Sequence, residues 1–436
     1  MKNYSVLNAK RYSILVLFLS FLCISQNNAM TYFTDSPDFF FSFGPQVVVG
    51  ADRLFSEYNS LIDGKRVALV ANHTGRLSNG THLADALFQY PNVELKALFG
   101  MNFNIRSNDY SLPVDEDRTI DPQTGVRKFN LYGTQHKPTN DMLEDVDIII
   151  VDIQEVGARF YEHVNILGFV MEAAAENNIE VVVLDRPNPI TGLKMEGFIT
   201  DDDYLFGFGA YAKIPVIHGM TMGEIAKLYN GEGMLRNGIR ARLHVVEMKG
   251  WERHMWFDQT GLNWIKPSPN LPTPETMLVY TGTCLFEGVN ISCGRGTPEP
   301  FKYIGAPWID NGKVLNILNE LGLKGVEFDR ISFTPVKMPF HGQEPFLSGE
   351  LCQGIYVRVT DRNAFEPYKT GIALLWAINK CHPEMIQWNI KTLDRLVGTR
   401  RLISMIQKET QPSEIFFSWE NELSEFKKLS KEYFLY

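Results

Sequence analysis

Between residues 50 and 250 the chain repeats one pattern: a short aliphatic run, then a stretch with apolar residues at helical spacing. The runs are KRVALVAN (65–72), VELKALFG (93–100), VDIIIVDIQ (146–154), EVVVLDRP (180–187) and LHVVEMKGW (243–251). Runs so rich in Val, Ile and Leu suit strands covered on both faces, as in a parallel sheet. The intervening LADALFQY (83–90), VNILGFVMEAAAENN (164–178) and TMGEIAKLYNG (221–231) read as helices, the last opened by a capping box of Thr221 with Glu224. This alternation predicts an α/β fold with a Rossmann-like parallel-sheet domain over residues 45–265. From 266 to 436, strands (ISFTPVKM, GIYVRVTD) mix with helices (KTGIALLWAINKC, SEIFFSWENELSEFKKL). That mixture predicts a second, smaller α+β domain, completing a cleft.

What such a cleft binds is narrowed by its motifs. ANHTGRLSNG (71–80), after the first run, does not match Gly-x-Gly-x-x-Gly, so a dinucleotide cofactor has little support. No His-x-x-x-His or acid cluster marks a metal site, and no Gly-x-Ser-x-Gly elbow marks a serine hydrolase. No cofactor is expected. A net charge of −9 without a basic run argues against a nucleic-acid partner.

At the N-terminus, Lys2, Lys10 and Arg11 precede the apolar SILVLFLSFLCI (13–24), then SQNN and Ala29. This reads as a signal peptide over residues 1–29, its apolar run shorter than a membrane span of about 20 residues. The expectation is an exported protein, periplasmic or secreted, with no membrane attachment after cleavage. Beyond it lie Cys284, Cys293, Cys352 and Cys381. They form either one disulfide, Cys284–Cys293 being nearest in sequence, or small buried residues.

Polar residues gather where the aliphatic runs stop, the edge at which open α/β sheets bind ligands. Asp152, Gln154, Glu155, Arg159 and Tyr161 follow the third run, Asp185 and Arg186 the fourth, and His218 follows IPVI. Each has a structural alternative. Asp185 can cap a turn with Pro187 and Pro189, Arg159 can pair with Asp152 or Glu155, and His218 can be a satisfied buried imidazole. Further on, Glu287 and Asn290 precede CGRGT, where glycines around Arg295 let the backbone approach a ligand. Tyr303 and Trp308 offer flat faces for a sugar, or simply pack in the core.

Taken together, DIQEVGARFY, DRPNP, HGMTMGE, PSPNLPTPET, EGVNISCGRGT and IGAPWID resemble the exo-β-N-acetylmuramidase family typified by NamZ, from about Gly50 to the terminal EYFLY. The resemblance implies a Rossmann-like domain and a smaller domain with the cleft between them. It implies release of N-acetylmuramic acid from non-reducing ends of peptidoglycan fragments, hence peptidoglycan-derived sugars as partners, and no cofactor. Matching positions are Asn72, Tyr132, Asp152, Gln154, Arg159, Tyr161, Asp185, Arg186, Asn188, His218, Glu287, Asn290, Arg295 and Thr297. Asp152, Glu155, His218 and Glu287 are the candidate catalytic groups, the others, with Asn102, candidate sugar contacts.

The chain departs from the family pattern in four places. Met101-Asn102-Phe103-Asn104 stands where relatives carry Pro-Glu-His-Gly, Cys293 replaces a glutamate, Ile217 an arginine, and Glu155 an aspartate. Asn102 can hydrogen-bond a sugar but has no proton to transfer. General acid help is worth about 10²–10⁴-fold, so two expectations follow: a glycosidase of weakened activity, or a silent relative that binds cell-wall sugars or serves as a scaffold.

Overall fold

Alternate residues of each aliphatic run enter opposite faces of one sheet. In chain order the first lobe contains β1 (Arg66–Ala71), β2 (Glu94–Gly100), β3 (Thr119–Ile120), β4 (Arg127–Asn130), β5 (Ile148–Asp152), β6 (Glu180–Leu184), β7 (Glu196–Ile199), β8 (Pro215–Ile217) and β9 (Arg242–Val246). Seven strands form the sheet β3-β4-β2-β1-β5-β6-β9, parallel except where β3 meets β4, and β7 and β8 pair separately. Val67, Leu69 and Ala71 of β1 pack with Leu54 of α1 (Gly50–Glu57) and Leu87 of α2 (Leu83–Gln89). Ala68 and Val70 belong instead to the core holding Leu167 of α3 (His163–Glu176) and Leu228 of α4 (Met222–Gly231). Thr221 and Glu224 close the expected capping box on α4. The computed structural model describes residues 47–101, 105–107, 119–133, 135–207, 209–339 and 341–436.

The second lobe adds α5 (Pro274–Thr283), β10 (Tyr303–Ala306), α6 (Asn311–Leu321), β11 (Val326–Phe333), β12 (Cys352–Val359), α7 (Pro367–Cys381), α8 (Ile390–Val397), α9 (Arg401–Gln407), α10 (Pro412–Phe417) and α11 (Glu420–Ser430). Its antiparallel sheet has the order β10-β12-β11. Helices α5 and α7 cross at two glycines: a Cβ on Gly371 would overlap the Gly282 carbonyl, and one on Gly282 would overlap Pro367. The core is continuous from the sheet through α3 and α4 to Leu278 and Leu374 of these helices. Finally the chain returns to the first lobe. The Arg253 guanidinium sits 3.4 Å from the Phe434 ring centre, Leu435 N–H donates to Glu224 at 2.9 Å, and the Tyr436 hydroxyl donates to Asp185 at 2.8 Å.

All five aliphatic runs are strands, so the α/β, Rossmann-like expectation holds, with a smaller second sheet beside it. The stretch ISFTPVKM is strand only to Phe333, because Pro335 cannot donate to a ladder. The helical stretch from Ser413 breaks into α10 and α11 around Ser418 and Trp419, whose ring is buried.

Candidate active site

A cavity of about 1440 Å³ opens beyond the carboxyl ends of β4 and β5, and the second lobe forms its other walls. The first lobe supplies Tyr132 after β4, and Phe160, Tyr161 and Glu162 between β5 and α3. Tyr280 of α5 and a 3-10 turn, Cys284–Gly288, bring in Glu287. The β11–β12 connection contributes Lys337, His341 and Glu344, and α8 contributes Arg395.

Several charged side chains line this space. Arg295 donates to Glu287 Oε1 from Nε at 2.9 Å and from Nη2 at 2.5 Å. Burial opposes the Arg295 charge, but the Glu287 carboxylate outweighs it and holds the guanidinium firmly protonated. Glu162 has neither an ion pair nor a hydrogen bond from another described side chain. Burial pushes it up to about 7, with its own N–H and Arg395 opposing and Glu287 assisting. Tyr132 is also raised, by burial and then by the charge of Glu162. One tyrosine, two carboxyl groups and two guanidiniums thus share a field. Among the described residues no group of three or more His, Cys, Asp or Glu is placed to hold a metal ion.

Of the residues read from the sequence, Tyr132, Tyr161, Glu287, Asn290 and Arg295 line the cavity. Asn290 spends its amide on Met385 O at 3.0 Å and Gln387 N at 2.8 Å, shaping the wall before α8. Thr297 lies just behind, its hydroxyl donating to Gly294 O at 2.6 Å. Gly294 and Gly296 adopt φ +76° and +79°, and their close approach is to the Tyr303 and Val336 backbone rather than to open space. Tyr303 packs on Phe333 and Tyr356, and Trp308 on His382, so both belong to the packing. The Cys284–Cys293 disulfide is not formed. Both thiols are free and buried in the cavity wall, and burial pushes Cys293 up to about 11.

The remaining residues are not among those lining the cavity and bond to other protein groups, although Asn72 Nδ2, Glu155 Oε2 and Arg159 Nε find no partner among the described residues. Arg186 clasps Asp152, and both side chains are buried. Gln154 donates to Glu155 O at 2.9 Å and Pro187 O at 2.7 Å. With Arg186 it borders a separate pocket of about 100 Å³ near Arg76 and Trp264. His218 accepts the Met220 N–H at Nδ1, leaving its Nε2 proton to face Glu155 at 3.3 Å. Burial opposes ionisation of Glu155, yet its bond to His218 holds it below the ordinary range. Arg159 donates to Thr200 and to the carbonyls of Leu396 at 3.1 Å and Val397 at 2.8 Å, tying β8's neighbourhood to α8. Asp185 accepts from Thr221, Gly223 and Tyr436. Asn188 bridges Met220 O and Ile190 N, and Asn72 holds the turn at Thr74. Asn102 and Phe103 lie outside the described residues.

Two adjoining family models cover nearly everything described: the N-terminal part of exo-β-N-acetylmuramidase NamZ over residues 67–275 and its C-terminal part over 278–436. The chain belongs to the NamZ family. It is 41% identical to the peptidoglycan β-N-acetylmuramidase NamZ of Bacillus subtilis (strain 168), over 90% of this chain and 92% of that one. Two crystal structures of DUF1343 family proteins from Bacteroides fragilis NCTC 9343 share the fold. One has a TM-score of 0.82 at 33% identity, covering 90% of this chain and 99% of that one. The other has a TM-score of 0.72 at 30% identity, covering 89% and 99%.

Against the NamZ family pattern, the charged cavity residues Glu162, Lys337, Glu344 and Arg395 escaped the sequence reading. Glu162 directly follows the stretch DIQEVGARFY, and its place between a strand end and a helix start was the available signal. Arg395 sits in an amphipathic helix, where an arginine reads as surface.

Proposed function

We propose that this protein is a glycoside hydrolase that releases N-acetylmuramic acid from the non-reducing ends of peptidoglycan fragments, and that the 1440 Å³ cavity is where it acts. Membership of the NamZ family supports the reaction class. The observation that carries the proposal is the meeting of Glu162, Glu287, Arg295, Arg395 and Tyr132 in one cavity. Muramic acid differs from other amino sugars by its lactyl carboxylate, which a guanidinium fork can grip. Arg395 is the better placed of the two arginines for this, because Glu287 already occupies Arg295. The volume exceeds the roughly 300–1,000 Å³ of ordinary ligand pockets, leaving room for a second ring.

The N-terminal pattern of Lys2, Lys10, Arg11 and the apolar 13–24 run supports export, which places the enzyme with cell-wall fragments. The test is turnover of a chromogenic β-N-acetylmuraminide and of a muramic acid–glucosamine disaccharide by purified protein. Hydrolysis of both, lost in Glu287→Gln, is expected. Saturable disaccharide binding without turnover would instead favour a silent sugar-binding relative, the reading motivated by Asn102 and Phe103.

A further inference from the structure

Cleaving a glycosidic bond requires a proton for the departing oxygen, and neither Asn102 nor Phe103 has one to give. Among the described residues three acids line the cavity: Glu162, Glu287 and Glu344. Glu344 lies on the β11–β12 connection with its carboxylate bonded to the Ser348 hydroxyl at 2.5 Å. Glu287 carries the Arg295 guanidinium on its carboxylate. Glu162 alone of the three receives no bond from another described side chain.

Its backbone, by contrast, is firmly held. The Glu162 carbonyl accepts the Asn165 N–H at 3.0 Å and the Ile166 N–H at 2.8 Å, starting α3, and the neighbouring Tyr161 hydroxyl donates to Pro267 O at 3.2 Å. Among the described residues the only hydrogen-bond donor to this partly buried carboxyl group is its own N–H, and a carboxyl group so thinly satisfied costs stability. We propose that Glu162 is the proton donor to the glycosidic oxygen, an inference that rests on the hydrolase reading above.

The step balances as follows. The C1–O bond breaks, its electron pair stays on the leaving oxygen, and that oxygen takes the proton of the Glu162 carboxylic acid and departs as an alcohol. The oxygen of an incoming water bonds C1. Its displaced proton passes to the Glu287 carboxylate and then to solvent, from which Glu162 is reprotonated. The helix N-terminus and Arg395 draw Glu162 toward ionisation, whereas burial and the Glu287 charge oppose it. The balance leaves it near 7, where a donor is most effective at neutral pH.

The experiment compares wild type with Glu162→Gln on two substrates. In the disaccharide the leaving alcohol needs a proton, and in a dinitrophenyl β-N-acetylmuraminide the phenolate leaves without one. Glu162→Gln should lower kcat on the disaccharide by about 10²–10⁴-fold and on the aryl glycoside by less than about tenfold. It should also abolish the alkaline fall in disaccharide turnover that wild type shows around pH 7. Glu162→Asp should recover part of the lost disaccharide turnover. Equal losses on both substrates, or disaccharide turnover near wild type, would overturn the assignment while leaving the hydrolase reading intact. Absence of turnover by wild type on either substrate would overturn both.

Discussion

Arg186 lies across the Asp152 carboxylate in a two-point contact, Nε 2.5 Å from Oδ1 and Nη2 2.8 Å from Oδ2. The same Nη2 donates to Arg76 O at 2.8 Å, so one guanidinium joins the ends of β5 and β6 to the loop after β1. Removing one partner of a buried pair strands the other charge and typically costs about 3–5 kcal/mol. Asp152→Ala and Arg186→Met are each expected to lose stability on that scale in urea titrations. A stable Asp152→Ala protein without activity would show instead that this carboxylate takes part in the reaction.

Asp185 gives a pH signature. Burial, opposed by the bonds from Thr221 and Gly223, pushes it up to about 7 from an ordinary value of 3.8. A carboxyl group whose folded pKa is raised contributes stability that is present in acid and is lost as pH climbs through the folded value. The contribution of Asp185 therefore declines between about pH 4 and 7, by at most about 1.4 kcal/mol per pH unit. Asp185→Asn should lack this decline, so its stability deficit relative to wild type should shrink from pH 4.5 to pH 8. A deficit independent of pH would contradict this.

The crossing of α5 and α7 leaves no space for side chains at Gly282 and Gly371. The obstructing atoms are backbone, which cannot swing aside as a side chain does. Gly371→Ala should therefore cost at least the upper part of the usual 1–3 kcal/mol range for overpacking, about 3 kcal/mol. Thermal unfolding followed by circular dichroism would measure it, and an unchanged midpoint would mean that the helices sit further apart.

The thiols of Cys284 and Cys293 are free and raised by burial. Thiolate is the reactive form, so both should label slowly in the native protein and rapidly in denaturant. Reducing agent should leave the melting temperature unchanged. A Cys284–Cys293 linked peptide in a non-reduced digest would refute the arrangement.

The parallel sheet was legible because burial on both faces demands continuous Val, Ile and Leu, which five runs display. The cavity was legible only in part. Asp152, Glu155, Arg159, Asp185, Arg186 and His218 stand at strand ends, and a sequence does not reveal whether such a group faces a ligand or another protein group. Asp152 finds Arg186 34 residues away, and Glu155 finds His218 63 residues away. Tyr132, Tyr161, Glu287, Asn290 and Arg295 do line the cavity. Glu162 was passed over beside acids that turn inward, and Arg395 became a cavity residue only when α8 docked against the loop at Gly209.

The hydroxyl that Tyr436 places on Asp185 comes from 251 positions downstream. The parallel sheet is encoded early, yet a buried acid at the end of β6, already bonded by Thr221 and Gly223, lacks its Tyr436 donor until the last residue has been synthesised. Folding of the first lobe is thus completed by the segment made after the second, a late latch that ties both halves into one cooperative event. Trimming the chain before Tyr433 should accordingly weaken the sheet rather than the lobe from which the residues were cut.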